Sequence, residues 1–251
     1  MAVVTFGERT FDTDLILFDK DGTLLEFEHF WAAKTVESIE RLIQGIGGND
    51  ALRSALYHTF HYNLITQTIA EDSPIVVAAN FKLVVIVATV LLQHDYGWHD
   101  AELLAERYFA PVLAEPPTLE MLRPVADLPR LFTSLRKAGI RIGVITSDDL
   151  GPTEATLNLL GIRHQVGFLA CADSGYPAKP LPQAVWAACE QYKVPPERTV
   201  FVGDSTTDME TGRRANVGLR VAVLTGMMGR EKLEPMADLV LGSIREMKVG
   251  A

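Results

Sequence analysis

Four short stretches of the chain concentrate side chains able to do polar chemistry. Asp19-Lys20-Asp21-Gly22-Thr23 sets two carboxylates two residues apart beside a glycine, and Thr146-Ser147-Asp148-Asp149 brings two hydroxyls and two acids. Lys179 precedes a proline, and Asp204-Ser205-Thr206-Thr207-Asp208 returns to two acids four residues apart. Carboxylates gathered in one place repel one another, and a divalent cation is the usual remedy. Hard oxygen donors of this kind suit Mg²⁺, which also tolerates a phosphate oxygen in its shell.

The four stretches share a local context. Each ends or follows an apolar run of strand length: DLILFD (14–19), IRIGVIT (140–146), VGFLACA (166–172) and TVFVGD (199–204). LRVAVL (219–224) and ADLVL (237–241) read as two more strands, and residues 2–6 as an additional edge strand. Helix-like runs separate them: ADLPRLFTSLRKAG, PTEATLNLLG, LPQAVWAACEQY and DMETGRRAN. Strands alternating with helices predict an α/β fold, a parallel sheet covered on both faces. Ligands of such open sheets bind beyond the carboxyl ends of the strands, which is where the four stretches fall.

The strand at 14–19 meets no obvious neighbour until residue 140. The interval 29–122 reads as mostly helical, so a helical domain is expected there. It would be inserted between the two parts of the core, 1–28 and 123–251. WAAKTVESIERLIQGIG spaces Trp31, Val36, Ile39, Leu42 and Ile43 as a helix does, with glycines to stop it. Residues 75–92 are apolar over the length of a short membrane span. Asn80 and Lys82 interrupt them, and a central lysine costs about 2.5–3.5 kcal/mol on insertion. Ser73-Pro74 reads as a helix start and Gly97 as its stop, predicting a helix apolar nearly all round, buried or at an oligomer interface. Its β-branched residues leave a strand as the alternative.

Composition narrows the function classes. With 251 residues, 48% hydrophobic and 22% charged, the chain can bury a full core and is not a disordered one. A net charge of −9 repels nucleic acid and anionic lipid, so a phosphate-bearing ligand needs a locally arranged site. Cys171 and Cys189 belong to no CxxC, which speaks against zinc or a disulfide framework and for a reducing compartment. The first residues carry no basic stretch followed by an apolar one, so a cytoplasmic protein is expected, monomeric or homodimeric.

FDKDGTL, a strand ending in Thr146, Lys179 and GDSTTD, in that order, resemble the four motifs of the haloacid dehalogenase-like (HAD) superfamily. The nearest likeness is to its phosphoglycolate phosphatase and beta-phosphoglucomutase-like branch, with the helical insertion as the alpha-helical cap. The resemblance implies a Rossmann-like parallel-sheet core and a Mg²⁺-dependent phosphatase. Its substrate would be a small phosphorylated metabolite, such as a phosphoglycolate-like ester or a sugar phosphate. It implies Asp19 as nucleophile, forming an aspartyl phosphate, and Asp21 as the acid and base. Gly22, Thr146, Ser147 and Lys179 would bind phosphate. Asp19, Asp204 and the backbone carbonyl of Asp21 would bind the metal, with Asp208 orienting Lys179 or a metal-bound water. Such chemistry needs cation shielding, in-line positioning and a proton for the leaving oxygen.

Each residue also has an ordinary structural use. Asp204 and Asp208 could cap the following helix, Lys179 could be a plain loop lysine, Thr146 could cap a turn, and Asp21-Gly22 could mark one. The four motifs in order, each at a strand end, outweigh those readings. His58 and His61 read as helix-surface or core residues, Met227 and Met228 as packing, and Cys171 as a small hydrophobe. Phe30 and Trp31 could pack at a hinge or touch substrate. Asp148 and Asp149 depart from the neutral residues usual after the second motif, and are expected to cap the helix near Pro152.

Asp21 also separates activities within the superfamily. A dehalogenase needs no acid there, and a phosphonatase has a non-acidic residue there with a Schiff-base lysine in the cap, for which Lys34 and Lys82 would be the choices. A mutase of the beta-phosphoglucomutase kind keeps Asp21 and remains the alternative. A catalytically silent binding protein on the same scaffold would ordinarily lose an acid that this chain retains.

Overall fold

A computed structural model describes residues 3–250, and within them every side chain but that of Val77. The strands in chain order are β1 (Val3–Phe6), β2 (Arg9–Asp12), β3 (Leu15–Phe18), β4 (Tyr62–Asn63), β5 (Thr68–Ile69), β6 (Arg141–Ile145), β7 (Phe168–Ala170), β8 (Thr199–Gly203), β9 (Leu219–Val223), β10 (Leu239–Leu241) and β11 (Met247–Val249). The chain divides into two compact units. One takes in the chain up to Phe27 and again from Pro117; the other is Glu28–Pro116.

The first unit is built on a six-stranded sheet of order β10-β9-β8-β3-β6-β7 in which every neighbouring pair is parallel. The strand nearest the start of the chain, β3, is therefore central, in register with β6 (Leu15 opposite Arg141) and β8 (Leu15 opposite Thr199). All four of its residues are buried. Alternation along it feeds two cores. Ile16 and Phe18 join Ile142, Val144, Val200 and Val202 on one face, where the Phe18 and Phe132 rings stack at 5.3 Å. Leu15 and Leu17 join Phe201, Val185 and Ala188 on the other. From β3 the chain runs outward through β6 to β7, then returns to β8 on the opposite side of β3. The point where strand order reverses thus lies between β3 and β8.

Three sequence expectations change here. The first strand does not extend the parallel sheet. It forms an antiparallel three-stranded sheet, β11-β1-β2, in which Val4 pairs with Val249 and Phe11. Of the expected run 2–6, residue 2 lies outside the described residues. The continuous helix expected over 75–92 is broken. Ser73 caps a single turn, Pro74–Val77, after which Ala78 and Ala79 are extended and a new helix covers Asn80–Gln93. The second helix buries Leu83, Val87, Ala88, Val90 and Leu91 but leaves Phe81 and Val85 exposed, so it is apolar on both sides and buried on one. Gly97 does not stop it; it precedes the next helix, Trp98–Leu104.

The second unit is mainly helical, with the β4–β5 hairpin that the sequence did not announce. Its core includes the stacked rings of Phe60 and Phe109, 5.7 Å apart. No helix among the described residues is long and apolar enough to cross a membrane.

Candidate active site

The first polar stretch follows β3 directly. Asp19 donates its backbone N–H to Val202 O on β8, which ties the loop to the central strand pair. The chain then turns within five residues: Gly22 N–H donates to Leu25 O at 2.8 Å and Leu24 N–H to Lys20 O at 2.8 Å. Gly22 sits at φ +83°, and a Cβ there would lie 2.3 Å from Asp204 Oδ2. Glycine is required both for the turn and for the room it leaves. Its own N–H is committed inside the turn, so the expectation that this amide meets phosphate is corrected. Gly22 shapes the site by making space for Asp204.

Asp204 follows β8, and Ser205 caps the helix Thr206–Ala215 through a capping box with Asp208. The ordinary and the chemical readings of Asp208 both hold, on different oxygens. Oδ2 accepts from Ser205 N–H (3.1 Å) and Ser205 Oγ (2.6 Å), while Oδ1 accepts from Lys179 Nζ at 2.7 Å. Lys179, from the segment after β7, also donates to Asp19 Oδ1 at 2.7 Å. Asp204 makes no cap; its Oδ1 accepts from Thr23 Oγ1 at 3.3 Å. Carboxylate oxygens of Asp19, Asp204 and Asp208 all lie within 4.8 Å of one another, the one such group of three among the described residues. Asp19 follows β3 and Asp204 follows β8, so the cluster straddles the reversal of strand order, where open α/β sheets bind ligands.

The electrostatics follow from burial. It pushes the Asp19 carboxyl up to about 7; the Lys179 charge pulls it down, and the Asp208 charge adds to the rise. Burial, with the charges of Asp19 and Asp208, holds Asp204 well above the usual carboxylate range. Burial alone would lower Lys179, but the two carboxylates beside it outweigh that and keep its ammonium above the ordinary lysine range. Ionised together, the three carboxylates would carry two negative charges beyond what one ammonium compensates, which is why burial favours the protonated forms of Asp19 and Asp204. A divalent cation would cancel those charges, and the all-oxygen donor set suits a hard one.

Other expected residues are placed nearby in the fold but not all in this cluster. Thr146 follows β6 and donates its N–H to Ala170 O, and its Oγ1 accepts from Asp148 N–H at 3.2 Å. Ser147 is half-buried beside it. The Asp21 carboxylate stands apart from the three acids. Both of its oxygens meet Lys20 Nζ, at 2.9 and 2.8 Å, and the same ammonium lies 3.0 Å from Asp148 Oδ2.

That pairing corrects the expectation for Asp148. It is buried and does not cap the next helix. Asp149 occupies the N-cap position of Leu150–Leu159 but makes no side-chain capping bond, and Leu150 N–H is taken by Asp173 Oδ1 at 3.0 Å. Sequence reasoning also missed Gly226, where a Cβ would fall 1.7 Å from Asp204 Oδ2. Its place soon after β9, at the same sheet edge, was the available clue. Thr225 beside it donates to Gly22 O at 2.6 Å. In the helical unit, His61 has an acidic partner the spacing did not reveal, Asp72, 2.8 Å from Nδ1.

The chain belongs to the haloacid dehalogenase-like hydrolases: that family's model matches residues 13–216. Over 93 residues it is 34% identical to an N-acetylmuramic acid 6-phosphate phosphatase of Pseudomonas aeruginosa, covering 37% of this chain and 41% of that protein. The match thus spans about two-fifths of that relative's length. A phosphoglycolate phosphatase of Rhodospirillum rubrum is 27% identical over 190 residues, 70% of this chain and 77% of that one. Among solved structures, a beta-phosphoglucomutase of Clostridium difficile superposes with a TM-score of 0.60 at 18% identity, covering 92% of this chain and 91% of its own. That likeness speaks for the fold.

Proposed function

We propose that this chain is a Mg²⁺-dependent phosphatase acting on a small phosphomonoester, a phosphoglycolate-like ester or a sugar phosphate. The observation that carries the reading is the buried Asp19–Lys179–Asp208 chain of contacts, with Asp204 completing a three-carboxylate cluster. Family membership and the names of the relatives support it. In the same proposal the catalytic residues belong to the sheet-bearing unit, and the helical insertion, in the cap role, governs which ester is preferred.

Asp19 is the nucleophile. One carboxylate oxygen attacks phosphorus in line, the ester P–O bond breaks, and the leaving oxygen takes its proton from Asp21. Asp21, now a carboxylate, removes a proton from water. That water attacks the aspartyl phosphate, releasing inorganic phosphate and restoring Asp19. Lys179 supplies positive charge to the transferring phosphoryl oxygens, with Thr146 and Ser147 as further donors. Asp208 holds Lys179 in place. Asp19, Asp204 and the Asp21 carbonyl would hold Mg²⁺, which supplies charge neutralisation of the phosphoryl group when bound.

The test is release of inorganic phosphate from a panel of phosphomonoesters by the whole chain, with Mg²⁺ and with EDTA. Phosphate should appear only with the cation, and Asp19→Asn, which removes the attacking charge at constant size, should abolish it. Movement of phosphate between two positions of one sugar, without net release, would replace the phosphatase by a mutase. Unchanged turnover in Asp19→Asn would sink both.

A further inference from the structure

We infer that Lys20, anchored by Asp148, is a positioning residue that holds Asp21 for proton transfer to the leaving group; this rests on the phosphatase reading. Lys20 stands between the two acids of the first motif, yet its side chain is fully buried (0% exposed). An ammonium is kept in such a place only by close partners that replace its water, and opposite charge is the strongest of them. Two carboxylates provide it from two different strand ends: Asp21 after β3, through both oxygens, and Asp148 after β6, at 3.0 Å. Asp148 is itself fixed. Its Oδ1 accepts from Asp149 N–H at 2.8 Å, its N–H donates to Thr146 Oγ1, and its carbonyl accepts from Ala172 N–H. The anchor therefore runs from the β6–β7 edge of the sheet, through Asp148 and Lys20, to the Asp21 carboxyl.

The exposures give the arrangement a direction. Asp21 keeps 11% of its side chain exposed, against 0% for Lys20 and 3% for Asp148. The ammonium meets both oxygens of the carboxyl, so the proton that Asp21 passes on would sit on an oxygen lone pair turned away from Lys20. An acid that must meet a leaving oxygen within hydrogen-bond reach gains from being held in one rotamer, because misplacement costs rate steeply. Lys20 touches neither nucleophile nor phosphate in this scheme and acts through Asp21.

The consequence is a dependence on the leaving group. A good leaving group departs without a proton, whereas a poor one needs the acid in place. The experiment uses the whole chain with Mg²⁺ and a series of ring-substituted aryl phosphates, from p-nitrophenyl phosphate to phenyl phosphate. It reads kcat/KM, which reports the steps up to the first phosphoryl transfer. Lys20→Met alone strands the buried Asp148 charge, so Lys20→Met combined with Asp148→Asn is compared, with Lys20→Arg as the variant that keeps the charge. The combined variant should lose less than about threefold on p-nitrophenyl phosphate and roughly 30-fold or more on phenyl phosphate, within the range of general acid catalysis. Lys20→Arg should recover much of that difference. Equal losses across the series in both variants, or no loss, would overturn the inference and leave the phosphatase reading standing. Wild-type protein inactive on every ester would instead remove that reading, and the inference with it.

Discussion

Asp208 serves two partners with one carboxylate: Oδ1 lies 2.7 Å from Lys179 Nζ, and Oδ2 closes the capping box with Ser205. The helix start and Lys179 are thereby fixed by the same side chain. The two duties separate by substitution. Asp208→Asn keeps an oxygen for Ser205 but removes the charge facing Lys179, and should lower kcat by about 10–100-fold, as loss of an outer-shell partner does. Asp208→Ala loses the cap as well and should cost about 1 kcal/mol more in stability. Denaturant melts alongside kcat would check this; equal kcat in Asp208→Asn and wild type would show that the cap is the whole role.

The raised carboxyls give a pH effect whose sign can be worked out. Asp19 rises from 3.8 to about 7 through burial, and Asp204 moves in the same direction. Without cation, the folded chain holds more protons than the unfolded chain across that window. The associated stability is fully present below 3.8 and is lost as pH rises through about 7. A divalent cation takes the place of those protons, so its stabilisation grows over the same window. The Mg²⁺-induced rise in Tm over an EDTA control should be larger at pH about 8 than at about 5. An increment equal at both, or larger at the lower pH, would contradict the assignment of these acids as cation ligands.

Gly226 offers a third test. An added Cβ would stand 1.7 Å from Asp204 Oδ2, and the position carries no positive φ to strain the backbone. The Asp204 carboxylate can rotate away, but its Cβ would stand 2.6 Å from the new atom, so the backbone must shift as well. Gly226→Ala should therefore lower Tm in EDTA and raise the Mg²⁺ concentration for half-maximal activity by roughly tenfold or more, measured below the melting transition. A normal Mg²⁺ requirement would mean that Asp204 can hold the cation from a displaced rotamer.

What was legible in the sequence was what short-range pattern encodes. Asp19, Thr146 and Asp204 were placed because each ends an apolar run, and a strand end fixes where such a residue emerges. The parallel sheet followed from the same alternation. The Lys20–Asp148 pair was not legible: a lysine side chain can swing to either side of its backbone, and its partner comes from a different strand. The three-stranded sheet was hidden for a similar reason, since Val4 finds Val249 only once both ends of the chain are in place. The break at Ala78 escaped because hydropathy along residues 75–92 is continuous where backbone conformation is not.

Lys34 lies in the helical unit and invites a Schiff-base reading, which its surroundings oppose. It is 2% exposed, and its ammonium donates to the carbonyls of Val112, Leu113 and Glu115 at 3.0, 3.0 and 2.7 Å, with the Phe30 ring 5.3 Å away. Those carbonyls end the helix Ala110–Ala114, where a cation is favoured and where carbonyls lack intrahelical partners. The lysine caps that helix from Phe27–Ile46 and locks the two together. Lys34→Met keeps most of the packing but leaves the carbonyls without these bonds. It should destabilise the protein by about 2–3 kcal/mol, the scale of a lost charged hydrogen-bond set. Turnover of a small aryl phosphate, measured below the melting transition, should change less than about twofold, since no step of the proposed chemistry passes through Lys34. Borohydride reduction in the presence of an aldehyde phosphonate should give no adduct at this lysine. A covalent adduct at Lys34, or loss of turnover without loss of stability, would return it to the chemistry.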